Sequence, residues 1–146
     1  MLFSSNWLAR YVELPEKTSQ LAELLTRCGM VVEEIRSHSD GALLDLDIPS
    51  NRVDAMNHYG LAREIATARR ADLQTPEILV NESGPATDQL TAIEIDDLNG
   101  CPRYTVRLIR GVKVEPSPEW LANLIESIGL RPLNNVADIT NFVLWE

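Results

Sequence analysis

Leu44-Asp45-Leu46-Asp47-Ile48-Pro49-Ser50-Asn51-Arg52-Val53-Asp54 changes its period half-way along. Leu44, Leu46 and Ile48 alternate with Asp45 and Asp47, so an extended strand here has one apolar face and one acidic face. Pro49 to Asp54 reads as a turn that feeds a helix, with Asp54 where the N-cap should be. Beyond it Ala55, Tyr59, Ala62, Ile65 and Ala66 share one face of a helix that runs to about Ala71. Gly60 inside that helix costs about 1 kcal/mol relative to Ala, and a close helix contact would account for it.

Toward the N-terminus, Met30 to Ile35 is the strand that would make a short hairpin with Leu44 to Ile48. A helix from Thr18 or Ser19 carries Leu21, Leu24, Leu25 and Cys28 at spacings i, i+3, i+4 and i+7, and Gly29 is its natural stop. Ser4 or Ser5 caps a short helix bearing Trp7, Leu8, Tyr11 and Val12.

Toward the C-terminus, residues 76–89 read as a linker. They hold Pro76, Gly84 and Pro85 and no Lys or Arg, with a short strand possible at Ile78 to Val80. Thr91 to Ile95 and Arg103 to Arg110 both alternate as strands do. Ser117 is the expected cap of the next helix, with Pro118 at its first position and Glu119 at its positive end. Leu121, Leu124, Ile125 and Ile128 form its buried stripe, and Gly129 ends it. A loop from Arg131 to Asn135 precedes a last helix over Asp138 to Trp145. The fold class is α+β: a small helical module with a hairpin over 1–75, the linker, and a mixed α/β region over 90–146.

Of 146 residues, 45% are apolar and 24% charged, which fits a globular protein. No stretch approaches the roughly 20 apolar residues of a membrane span. Met1 to Val12 carries no secretory pattern. The two cysteines, Cys28 and Cys101, and the two histidines, His38 and His58, give neither a disulfide framework nor zinc spacing. A cytosolic setting is expected, with no metal. The net charge of −9 opposes a generic phosphate-binding surface, so nucleic-acid contact should be local and salt-sensitive.

Arg52 could hold a carboxylate or phosphate ligand. Local chemistry favours a structural turn of Asn51, Arg52 and Asp54, with Arg52 in an internal ion pair. His38, in a loop, and His58, near a helix start, read as surface or structural residues. Arg131 to Asn141 stands apart. It sets Arg131, Asn134, Asn135, Asp138, Thr140 and Asn141 on a support of Pro132, Leu133, Val136 and Ile139. Such a set suits recognition of a small polar group. It equally suits a capped helix whose amides bond their own backbone. Chemistry alone leaves these two readings even.

Six segments, in order, resemble the β subunit of phenylalanyl-tRNA synthetase. They are Ser5 to Val12, Leu24 to Gly29, Pro49 to Asp54 with Gly60 to Glu64, Cys101 to Tyr104, Ser117 to Leu121, and Arg131 to Asn141. The resemblance implies that 1–75 is a β-subunit module and 90–146 the first part of an editing domain. It also implies an α-subunit partner in a heterotetramer of two α and two β subunits, with tRNA-Phe as RNA partner and no DNA or membrane. ATP and magnesium would serve the α-subunit site, not this chain. Bacterial members of the family usually carry an oligonucleotide-binding barrel before Pro49; here only Ser37 to Ala42 separates the flanking strands. The family's remaining pocket motifs are expected beyond Glu146, so the chain alone should be catalytically incomplete.

The editing task has a physical origin. A hydrophobic pocket rejects tyrosine, which is phenylalanine plus a hydroxyl, by only about 100-fold. A second site that must hydrogen-bond that hydroxyl reverses the selection. By resemblance Arg131 would hold the tRNA end or the ester, while Thr140 and Asn141 would line the pocket of a hydrolase for tyrosyl-tRNA-Phe. A non-catalytic scaffold and a free-standing editing hydrolase are the competing functions.

Overall fold

The computed structural model describes every residue except Ser39 and Asp40, and of His38 only the backbone. The elements are β1 (Leu2–Ser4), α1 (Ser5–Leu8), α2 (Thr18–Arg27), β2 (Val31–His38), β3 (Gly41–Asp47), α3 (His58–Arg69), α4 (Glu119–Ser127) and α5 (Asn135–Trp145). Single 3₁₀ turns lie at Val53–Ala55 and Thr87–Gln89. Helices with a small antiparallel sheet make the class α+β, as the sequence implied.

The sheet has the order β1-β3-β2. Leu44 of β3 faces Phe3 on one side and Ile35 on the other. Leu44 and Leu46 are buried while Asp47 is exposed, so the alternation of β3 chooses the core face. β2 runs on to His38, past its expected end at Ile35, and a bulge lies between Val32 and Glu34. His38 is therefore in a strand rather than a loop; its side chain lies outside the described residues. β1 is the one strand the periodicity did not reveal, because three residues are too few to alternate. β2 and β3 are separated by two residues, which leaves no room there for an inserted barrel.

Helix starts differ from expectation in an instructive way. Ser4 caps α1, its hydroxyl accepting from the Trp7 amide at 3.4 Å. Asp54 does not cap α3. Its carboxylate is taken by Arg52, and its residue lies in the 3₁₀ turn. Asn57, three residues on, caps instead and accepts from the Gly60 amide at 2.6 Å. Ser117 does not cap α4 either. Pro118 is the N-cap, and the Ser117 hydroxyl turns to Asp138. The last helix begins at Asn135, three residues before its expected start at Asp138, because Asn134 caps it.

The chain forms two compact units, Met1–Pro76 with Val114–Glu146, and Glu77–Lys113. In the first, α4 and α5 share one core with β1, α1, α2, β3 and α3. Phe3, Trp7, Leu25, Leu44 and Ile65 lie fully inside it, Ile128 is buried at its edge, and Phe142 and Trp145 pack against it. In the second, the strands expected at Ile78 to Val80, Thr91 to Ile95 and Arg103 to Arg110 are not formed. A strand exists only through its ladder, and no segment pairs with these among the described residues. Tyr104, Val106 and Leu108, the intended apolar face, stay exposed.

Candidate functional site

Arg131 to Asn141 forms a loop and the first two turns of α5. The loop leaves α4 through Gly129, whose φ of +79° is a left-handed conformation that glycine adopts at little cost. Leu130 then folds back, its amide donating to the Ile125 carbonyl at 3.1 Å.

Four of the six polar residues bond backbone groups. The Asn134 carboxamide accepts from the Val136 and Ala137 amides at 3.1 and 3.0 Å, a complete N-cap. Asn135 clasps Glu115 from both sides: its amide donates to the Glu115 carbonyl, and its side-chain oxygen accepts from the Glu115 amide. Asp138 is fully buried. Its carboxylate accepts the Leu133 amide at 3.1 Å to either oxygen and the Ser117 hydroxyl at 2.5 Å. It also sits in the first turn of α5, where the helix dipole favours a negative charge.

The residues the sequence singled out are disposed differently. Thr140 is exposed, and its hydroxyl donates to the Ala137 carbonyl at 2.6 Å. Arg131 is exposed and Asn141 half-buried, and neither side chain has a hydrogen-bond or ion-pair partner among the described residues. Thr140 and Asn141 are neighbours on α5. Helical spacing sets Asn141 on the side of Asp138, three residues before it, and Thr140 on the side of Val136. Among the described residues no hydrogen bond links Arg131 to either.

The inner face of α5 is held by rings. Phe142 stacks on Trp7 at 5.2 Å, and Trp145 meets Phe3 edge-on at 6.3 Å. His58 also stacks on Trp7, at 4.1 Å. Its Nδ1–H donates to the Trp145 carbonyl at 2.6 Å, and its Nε2 accepts from the Ser4 amide at 3.1 Å. Burial pushes His58 down to about 4, against the opposing pull of the Trp145 carbonyl, so it is a neutral bridge. This link is not legible in the sequence, since a lone His on a helix carries no spacing that names its partners. The outer face is bare: Val136, Ile139, Val143 and Leu144 are all exposed.

The turn at Asn51 to Asp54 keeps Arg52 occupied. Its guanidinium forks onto Asp54 at 3.0 Å and reaches Glu64 at 2.9 Å. Bonds to these two carboxylates push Arg52 further up, and Arg52 holds the Asp54 carboxyl below its ordinary range. Among the described residues no group of three or more His, Cys, Asp or Glu could hold a metal ion. No helix there is long and apolar enough to cross a membrane.

The family described as B3/4 domain matches residues 100–146, which include this whole segment. Phenylalanine–tRNA ligase β subunits align with much more of the chain. That of Rhodopirellula baltica is 41% identical over 146 residues, 100% of this chain and 21% of the relative. That of Porphyromonas gingivalis is 42% identical over 123 residues, 81% of this chain and 15% of the relative. That of Syntrophotalea carbinolica is 44% identical over 102 residues, 70% of this chain and 13% of the relative. The chain belongs to the phenylalanine–tRNA ligase β-subunit family. It spans about a fifth, or less, of the length of these β subunits. The B3/4 match begins at residue 100, inside the second unit, and runs through α4 and α5. In the first unit, α4 and α5 of the B3/4 segment share one core with the N-terminal elements.

Proposed function

We propose that the chain is a section of a phenylalanine–tRNA ligase β subunit that supplies part of one wall of an editing pocket for tyrosyl-tRNA-Phe. One observation carries this. In the Arg131 to Asn141 segment Asn134, Asn135 and Asp138 are consumed by backbone and by Ser117, whereas the Arg131 and Asn141 side chains have no hydrogen-bond or ion-pair partner among the described residues. A capped helix needs the first three and has no use for the other two. Arg131 suits an anionic group, such as a phosphate of the tRNA end. Asn141 can both donate and accept, which suits an ester carbonyl or a water beside it. Thr140 keeps acceptor capacity while its proton is engaged at Ala137.

On this reading the partner is an α subunit, which holds the ATP and magnesium of the ligase reaction, and tRNA-Phe is shared by both. The setting is the cytoplasm.

The test uses the complete β subunit assembled with its α subunit. Arg131→Ala and Asn141→Ala should each slow hydrolysis of tyrosyl-tRNA-Phe by at least about 10-fold, while charging with phenylalanine persists. Unchanged hydrolysis in both variants would sink the proposal. The bare outer face of α5 favours a second reading, a non-catalytic docking scaffold. Under that reading Val143→Asp weakens subunit assembly and the two polar substitutions do nothing.

A further inference from the structure

The editing proposal uses Arg131, Thr140 and Asn141 and leaves Asp138 without a role. Asp138 is nevertheless a carboxylate with no exposed surface, in a segment otherwise half open to solvent. Burying a charge is unfavourable unless its acceptor sites are filled by good donors. Here the Ser117 hydroxyl and the Leu133 amide fill them.

The two donors come from different places. Leu133 lies in the Arg131 loop, two residues after Arg131. Ser117 lies in the segment that leads into α4, beside Glu115, which Asn135 grips. Asp138 itself is on α5, two residues before Thr140 and three before Asn141. One carboxylate thus ties the arginine loop, the approach to α4 and the asparagine helix at a single point. Asn134 caps α5 but reaches only its own helix.

We infer that Asp138 is the positioning residue of the site: through Leu133 it fixes where Arg131 is presented relative to Thr140 and Asn141. This rests on the editing reading. Asp138 does not touch substrate; it acts through the loop backbone. Replacing it by Asn leaves one acceptor oxygen and turns an amide N–H₂ toward either the Leu133 amide or the Ser117 hydroxyl. The serine hydroxyl can accept, so the N–H₂ turns to Ser117, and the Leu133 amide keeps one neutral acceptor oxygen in place of two carboxylate oxygens.

The experiment is a double-substitution cycle in the complete β subunit with its α subunit. Arg131→Ala should raise KM for tyrosyl-tRNA-Phe about 10-fold, and Asp138→Asn about fivefold, each with kcat changed less than about twofold. The double variant should be no worse than Arg131→Ala alone, because a misplaced arginine and a missing one lose the same contact. Ser117→Ala should move KM in the same direction by less, and it serves if Asp138→Asn folds poorly. Amide exchange at Leu133 should quicken in Asp138→Asn, with α3 unchanged. Losses that add in the double variant, or an unchanged Leu133 amide, would overturn the inference and leave Asp138 as a fold residue alone. If Arg131→Ala leaves KM and kcat untouched, the inference falls; if Asn141→Ala does so too, the editing reading fails with it. Quickened exchange at Leu133 would then show that the clamp exists but serves no such site.

Discussion

His58 joins the N-terminal elements to α5 at the scale of single atoms. The Ser4 amide, the Trp145 carbonyl and the Trp7 ring surround it, and a proton on Nε2 would displace the bond from Ser4. Its folded-state value of about 4 lies below the ordinary 6.5, with burial as the main cause. As pH falls below 6.5 the unfolded chain takes up a proton that the folded chain refuses, so stability present above 6.5 is lost as pH falls toward 4. The full window is worth on the order of 3 kcal/mol. Denaturant titrations of the wild-type chain and His58→Gln at pH 7.5 and pH 4.5 should therefore show the wild type losing more stability on acidification. A stability difference between the two that does not change with pH would contradict the neutral bridge. The site residues follow a similar logic. Arg131 and Asn141 stood out in the sequence as part of a polar cluster, but which members were free depended on bonds to Glu115 and Ser117, far away in the chain.

Elements show where periodicity was enough and where it was not. The stripe Leu21, Leu24, Leu25 and Cys28 gave α2, and Leu44, Leu46 and Ile48 gave β3, because burial selects one face and the sequence writes that face at a fixed period. Helix starts were misplaced because several residues competed to cap. Asp54 was drawn off by Arg52 and Asn57 caps α3 in its stead; Ser117 was drawn off by Asp138, which leaves Pro118 at the N-cap of α4; and Asn134 caps α5 ahead of its expected start. Gly60 belongs to the same story. A Cβ there would lie 1.8 Å from the Asp54 carbonyl oxygen, so the 3₁₀ turn closes directly onto the first turn of α3. Helix propensity alone says Gly60→Ala gains about 1 kcal/mol. The clash with backbone cannot be relieved by a side-chain rotation, and overpacking of this kind costs about 1–3 kcal/mol or more. The clash should win, so Gly60→Ala should lower stability by about 2 kcal/mol and shift the denaturant midpoint down with an unchanged slope. A more stable variant would mean that the turn does not sit on α3.

At the scale of the whole molecule, the units differ in what holds them. Met1–Pro76 with Val114–Glu146 has a sheet, five helices and a shared core. Glu77–Lys113 has one 3₁₀ turn and an Asp97 turn, in which the carboxylate accepts the Asn99 and Gly100 amides at 3.0 and 3.1 Å. Yet Arg103 to Arg110 has a strand's sequence, with Tyr104, Val106 and Leu108 on one side and Arg103, Thr105 and Arg107 on the other. Alternation states what a segment will do when another strand lies beside it; it supplies no partner. Strand pairing is a property of two segments, and the chain holds only about a fifth of the length of the R. baltica subunit. The expected outcome is a contrast between two polypeptides. In this chain the amides of 103–110 should exchange with solvent as fast as unstructured peptide, while those of β3 and α3 are slowed by orders of magnitude. In the complete β subunit, the amides of 103–110 that meet a neighbouring strand should become protected, every second one first if the segment lies at a sheet edge. Exchange that stays fast in both would show that the alternation of 103–110 does not encode a strand, and that its exposed apolar side serves some other contact.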